Sequence, residues 1–260
     1  MIEPGPAVLA RRPSGMAETE WRARLELAAC YRIFDHLGWT ELIYNHITLR
    51  LPGPERHYLI NPFGLNYNEV TAVNLIKIRL DGSAVDPTPH PVNRAGFVIH
   101  SALHAARDDA HCIMHTHTSA GMAIAKKEAG LSHDDFYGAI LSGRVAYHDF
   151  EGISLRTEEQ PRLVASLADK HVLILRNHGL LVLGPDVPAA LRLMWTLQRA
   201  CEVQTLAQAI SGPDRALPEA VRRQSTEDAA NFEPRGQLER LLMASMLRRA
   251  GVSLDSLAGT

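Results

Sequence analysis

Cysteine is scarce in this 260-residue chain. There are three, Cys30, Cys112 and Cys201, far apart and odd in number. That excludes a disulfide framework and suits a reducing cytoplasm. An excess of charge of one sign is also missing. Lysine plus arginine total 27, aspartate plus glutamate 29, and the formal net charge is -2 at pH 7. A chain so close to neutral carries no global electrostatic argument for nucleic acid or an anionic membrane as partner. No apolar run is long enough to span a bilayer. No repeat or low-complexity block is visible. Met1 to Ala17 holds Pro4, Pro6, Pro13 and two arginines. It lacks the apolar stretch of a secretory signal, so a disordered tail is expected over residues 1–17.

What is present is an ordinary globular composition, 46% apolar and 22% charged. One large domain over 18–211, followed by a helical extension over 212–260, is the expected organisation. Leu25, Leu27, Ala28, Tyr31, Ile33 and Phe34 have helical spacing that stops near Gly38. Short strand-like runs follow at 46–51 and 57–60, and another at 75–80 stops at Asp81-Gly82, a hairpin signal. Helices are predicted over 95–107 and 119–128, and strands over 110–116, 144–147, 171–175 and 180–183. Thr157 with Gln160 reads as a capping box opening a helix to about Ala168. Pro188 opens a long helix, and two charged helical segments, 218–229 and 235–250, follow Ser211-Gly212-Pro213. Strands and helices mixed in this way argue a layered sheet flanked by helices.

Of 13 histidines, three have a distinctive setting. His115 and His117 sit two apart in the strand-like Cys112-Ile113-Met114-His115-Thr116-His117, and alternate residues of a strand share a face. Two imidazoles placed so can share a metal. His178 sits in Arg176-Asn177-His178-Gly179 between two strand-like runs, where Gly179 gives the backbone room to turn. Three imidazoles are a known zinc ligand set that leaves a fourth position open. Met114 and Thr116 point away, and Cys112 is read as core. His90, His104, His111, His133 and His171 are read as surface or helix histidines.

These segments resemble the class II aldolase/adducin family. Arg107 to Thr118, containing His115-Thr116-His117, is similar to its metal-binding strand. Leu173 to Leu180 is similar to the signature carrying its third ligand, Tyr44 to Arg50 to its Gly-Asn-x-Ser loop, and Ile60 to Gly64 to its Thr-Pro-x-Gly turn. The matches come in the family's order from about Trp21 to Ser211. The resemblance implies an α/β fold of three layers, α/β/α, with a central, mostly antiparallel sheet. It also implies a small-molecule substrate, a divalent metal on His115, His117 and His178, and a homotetramer with sites near subunit interfaces. Zinc is the first expectation, with manganese or iron as alternatives. Asn45 matches the family's phosphate-contacting asparagine, and Gly64 lies in the turn, so both are candidate substrate-binding residues.

One departure matters chemically. Fuculose-phosphate aldolase, similar in these segments, uses a glutamate as acid/base, and counting back from His115 places Gly96 there. Its two phosphate-binding serines are replaced by Arg94 and Ala95. Arg94 is then a candidate for a substrate carboxylate or phosphate. Replacement proton carriers are His148, Glu151 and Tyr137, with Tyr147 nearby. The stretch 95–103 and the segment Tyr147 to Ile153 resemble the adducin-like branch, whose head domain is an interaction module. Three functions follow: a metal-dependent lyase acting on a carbon–carbon bond of a small anionic substrate, by retro-aldol reaction or decarboxylation; a non-haem iron oxygenase on the same fold; and a non-catalytic adducin-like binding module.

Overall fold

The computed structural model of the protein describes residues 4–232 and 236–259. The first elements are helices α1 (Pro6–Ala10) and α2 (Glu18–Leu37), the latter closed by Gly38 at φ 69°. Strands β1 (His46–Arg50), β2 (Tyr58–Ile60) and β3 (Ile76–Ile78) follow. Then come α3 (Arg94–Ala106), β4 (Cys112–Thr116), α4 (Ser119–Ala125), α5 (Phe136–Ile140) and β5 (Val145–His148). The chain continues through α6 (Gln160–Leu167), β6 (Val172–Leu175), β7 (Gly179–Gly184) and α7 (Val187–Ala207). Helices α8 (Glu219–Asn231), α9 (Gln237–Arg249) and α10 (Leu254–Ala258) complete it. No helix among the described residues is long and apolar enough to cross a membrane.

The seven strands form one sheet in the order β3-β2-β1-β4-β7-β6-β5. Every neighbouring pair is antiparallel except β5 and β6. The period-2 alternation of the strands sorts their side chains into two cores. On one face Cys112, Met114, Ile174, Leu180 and Val182 pack with α2 and α7 through Leu27, Phe34, Met194 and Leu197. On the other, Ile113, Leu173, Leu181 and Leu183 pack with α3 and α6 through Ile99, Leu103, Leu163 and Leu167. These are the three layers α/β/α. Burying both faces explains why β6 and β7 read as continuous apolar runs.

Two expectations are corrected. The segment read as a disordered tail holds α1, whose Val8 is buried and whose backbone oxygen accepts a hydrogen bond from Trp21 Nε1 at 3.1 Å. Leu9 and Met16 pack against the same core and help to hold that segment; Met1, Ile2 and Glu3 lie outside the described residues. The capping box expected at Thr157 does not form: residues 157–159 make a single tight turn whose cap, Arg156, has no side-chain bond. His104 lies on helix α3 and is fully buried. On α9, Met243 is in the core and Leu241 and Leu242 are exposed. Arg235, expected in that helix, lies outside the described residues. The three cysteines are buried and unpaired.

Candidate metal centre

The central strand β4 carries the site. Its pairing with β7 sets His115 opposite Leu181, and the chain reverses just before β7, bringing His178 beside the end of β4. That reversal is tight. Asn177 takes a left-handed φ of 55°, a conformation asparagine tolerates better than most residues. A Cβ on Gly179 would stand 2.4 Å from the Thr116 carbonyl oxygen and 3.0 Å from the His117 ring, so only glycine fits.

His115, His117 and His178 converge. Their candidate ligand nitrogens all lie within 4.8 Å of one another, and His115 Nε2 is 2.8 Å from His117 Nε2. His115 Nδ1 lies 2.9 Å from the Leu180 carbonyl oxygen. A carbonyl can only accept, so Nδ1 carries the proton and Nε2 presents its lone pair to the cluster. Burial and the neighbouring imidazoles hold His115 neutral, with its pKa well below the ordinary histidine value. His178 is lowered to about 4 for the same reasons, and burial lowers His117. Neutral imidazoles are the form that ligates. Three lone-pair donors, one on β4, one just past its end and one in the turn before β7, with a carbonyl orienting the first ring, fit a divalent metal.

The triad forms the floor of a cavity of about 340 Å³. Its polar lining beyond the triad comprises His46, Asn93, Ser154 and Asn177. Tyr44, Ile99, Met122, Phe150 and Ile153 supply the apolar walls and rim.

His46 is the residue the sequence reading passed over. It pairs with His115 across β1 and β4, and its ring centroid lies 5.3 Å from that of His115 and 4.3 Å from that of His100. Behind it, Thr48 Oγ1 sits 2.7 Å from His100 Nδ1 and 2.8 Å from His104 Nε2. His104 Nδ1 donates to the Ala110 carbonyl at 2.9 Å, so its Nε2 accepts from Thr48 and His100 Nδ1 donates to Thr48. Burial lowers His46 and His104 to about 3, and with the neighbouring imidazoles holds His100 well below the ordinary histidine value. Gly96 faces this array: a Cβ there would stand 2.8 Å from His46 Cγ and Cδ2. The imidazole of His46 therefore fills the space next to the position of the missing carboxylate. The signal was present in part, since His46 and Thr48 alternate onto one face of a strand, but nothing in the sequence pairs that strand with β4.

The expected accessory residues do not gather at the cavity. Tyr137 lies on α5, which packs against α7 and α8, beneath the Arg199 guanidinium. Glu151 is tied to Arg162 by two hydrogen bonds, which lower its pKa. A carboxylate held as the anion in this way is a poor proton carrier. His148 is buried with Nδ1 2.9 Å from Ser166 Oγ and Nε2 3.4 Å from Glu159. Asn45 is buried, Gly64 and Arg94 are exposed, and none of the three lines the cavity. The side chain of Ala95 lies outside the described residues.

Residues 25–205 match the family described as Class II Aldolase and Adducin N-terminal domain. A Caulobacter vibrioides protein whose name places it provisionally among the class 2 aldolases is 46% identical over 79% of this chain and 80% of its own. Rat alpha-adducin is 49% identical over 75% of this chain but only 27% of its own. The crystal structure of an aldolase II superfamily protein from Pseudomonas syringae superposes with TM-score 0.85, covering 90% of this chain and 94% of that one, at 42% identity. L-fuculose 1-phosphate aldolase from Glaciozyma antarctica superposes with TM-score 0.78 at 27% identity, covering 95% and 98%.

Proposed function

The chain belongs to the class II aldolase and adducin family, and from that premise we propose that it is a metal-dependent lyase breaking a carbon–carbon bond beside a carbonyl held at His115, His117 and His178. The observation that carries this reading is the convergence of three neutral imidazoles on the floor of an open cavity. A divalent ion held there, zinc first and manganese or iron as alternatives, supplies a Lewis acid that draws electron density from the carbonyl. The same reading includes a cytoplasmic homotetramer.

Of the two bond cleavages, decarboxylation asks less of the protein. A retro-aldol step needs a base to take the hydroxyl proton of the substrate, work worth a factor of about 100 to 10,000 when a positioned side chain does it. No aspartate or glutamate lies among the described residues lining the cavity. Gly96 offers nothing, and Glu151 is engaged by Arg162. Loss of carbon dioxide needs only a proton delivered to carbon afterwards. Tyr44, which lines the cavity and is open to water, is the group proposed for that delivery, since the Ser154 hydroxyl donates to Glu159. Asn93 holds the Tyr44 backbone by donating from Nδ2 to its carbonyl at 3.0 Å.

The identity with alpha-adducin favours a second reading, a binding module on the same scaffold. Metal analysis of protein purified without added metal separates the two. The lyase reading expects about one divalent ion per chain, and metal-dependent release of carbon dioxide or an aldehyde from a panel of oxo acids and hydroxy acids. Protein free of metal, and unable to take it up, overturns the lyase reading in favour of the binding module.

A further inference from the structure

Among the described residues, His46 is the one cavity-lining histidine outside the triad, and the fold makes a fitted seat for it. Its ring stands against those of His115 and His100, at centroid distances of 5.3 and 4.3 Å. The backbone of α3 comes so close at Gly96 that a Cβ there would lie 2.8 Å from Cγ and Cδ2 of that ring and 2.9 Å from Nδ1. A side chain at position 96 would displace the ring. His46 is 3% exposed within a single chain, so its setting does not depend on contact with another subunit.

A seat packed among rings would suit phenylalanine if only volume mattered. What an imidazole adds is two nitrogens, and one of them is unused. Nδ1 lies 3.4 Å from the Tyr44 carbonyl oxygen. A carbonyl only accepts, so Nδ1 carries the proton and Nε2 keeps its lone pair. That Nε2 is buried and has no hydrogen-bond partner. A buried acceptor left bare costs free energy that an apolar ring of the same shape avoids. Of the buried imidazoles whose Nε2 lacks a hydrogen bond, His46, His100 and His148, only His46 lines the cavity. Nor does it join the ligand set, whose nitrogens all lie within 4.8 Å of one another. Its lone pair is left for a donor on the molecule that the cavity holds.

We infer that His46 is a specificity-determining residue: its Nε2 accepts a hydrogen bond from a hydroxyl group of the substrate bound beside the triad. An acceptor at that place favours an alcohol over an ether. This rests on the metal-dependent reading above and adds the residue that recognises the hydroxyl of the substrate.

Two small chelators that share their oxygen atoms and differ in one hydrogen-bond donor test this. Glycolate carries a hydroxyl beside its carboxylate, and methoxyacetate carries a methyl ether there. Each is titrated into cobalt(II)-loaded protein and read by the visible bands of the bound ion. Measured for the wild type and for His46→Phe, the four affinities form a cycle that isolates the contact. The preference for glycolate should fall by about fivefold or more in His46→Phe, the worth of one net hydrogen bond. A second measurement needs no variant to fold. In zinc-loaded wild type labelled with the heavy nitrogen isotope, the Nε2 resonance of His46 should move upfield with glycolate and stay in place with methoxyacetate.

Equal weakening of both chelators in His46→Phe shows a packing role and overturns the inference. So does an unchanged preference, or an Nε2 resonance that moves equally with both chelators or with neither. In each of these cases the cobalt bands leave the metal reading standing. Failure of cobalt to bind to the wild type overturns the metal reading, and this inference with it.

Discussion

Two groups of three histidines lie on either side of one strand pairing. His115, His117 and His178 converge on a cavity; His46 and His100 stack behind them, and Thr48 links His100 to His104. Burial keeps members of both groups neutral, with His178 lowered to about 4 and His46 and His104 to about 3. Only His46 belongs to both surroundings, since it lines the cavity and touches the array. The difference lies in where the lone pairs point. In the first group they meet at one place in an open cavity, while in the second the His104 Nε2 lone pair accepts from Thr48, which in turn accepts from the Nδ1–H of His100. A depressed histidine pKa therefore does not mark a ligand here; convergence does.

The largest effect should come from breaking the first group. His115→Ala, His117→Ala and His178→Ala should each weaken metal binding by more than the roughly 10–100-fold that loss of an outer-shell partner costs. Equilibrium dialysis with metal analysis measures this. Full occupancy in any one variant removes that residue from the ligand set.

Lowering the pH should strike both groups at once. The folded pKa values near 3 and 4 lie below the unfolded value of about 6.5. Between those limits the unfolded chain binds more protons, so stability falls as pH drops from about 6.5 toward 4. At pH 5 the loss should be on the order of 1–2 kcal/mol for each such histidine. Urea midpoints of metal-free protein at pH 7.5 and 5.0 check this, and an equal or higher midpoint at pH 5.0 would contradict it.

Gly96→Glu should destabilise the protein by about 1–3 kcal/mol, because the new Cβ meets the His46 ring at 2.8 Å. Adding His46→Ala should recover part of that loss. An unchanged urea midpoint in the single variant would show that the ring moves aside freely.

Thr48→Val keeps the shape and removes the hydroxyl between His100 and His104. It should cost about 1–3 kcal/mol and leave metal affinity unchanged, since none of the ligands touches Thr48. A loss of metal would show that the two groups are coupled. The smallest effect is expected of Tyr137→Phe, which should alter neither metal content nor glycolate binding. A clear weakening of either would return Tyr137 to the site.

The three candidate histidines were legible from His-x-His at the end of a strand-like run and from Asn-His-Gly, together with the family resemblance. What the sequence did not show is that His117 lies just past β4 and that Gly179 is required by the Thr116 carbonyl and the His117 ring, contacts made across the fold. The accessory residues were chosen for nearness in sequence, and within one chain the structure sets them apart from the cavity. Tyr137 sits only twenty-two residues after His115 in the numbering, yet α5 faces α7 and α8. His148 reads as a free proton carrier in the string of letters, but Ser166 of α6 and Glu159, in the turn before it, lie against it. His104 is a helix histidine as it reads, but only the structure shows that the strand carrying Thr48 covers it.

Strand and helix periods, turn chemistry and the spacing of histidines are properties of neighbouring residues, so the sequence by itself determined most of the elements and the layered class of fold, and singled out the three candidate histidines with the help of the family resemblance. Which strand lies beside which is settled by long-range pairing. The order β3-β2-β1-β4-β7-β6-β5 sets His46 against His115 and gives Gly96 its reason. It was left to the tertiary structure to place Phe150 and Ile153 at the mouth of the cavity and Arg94 outside it, because the character of a cavity depends on side chains from distant segments meeting in space.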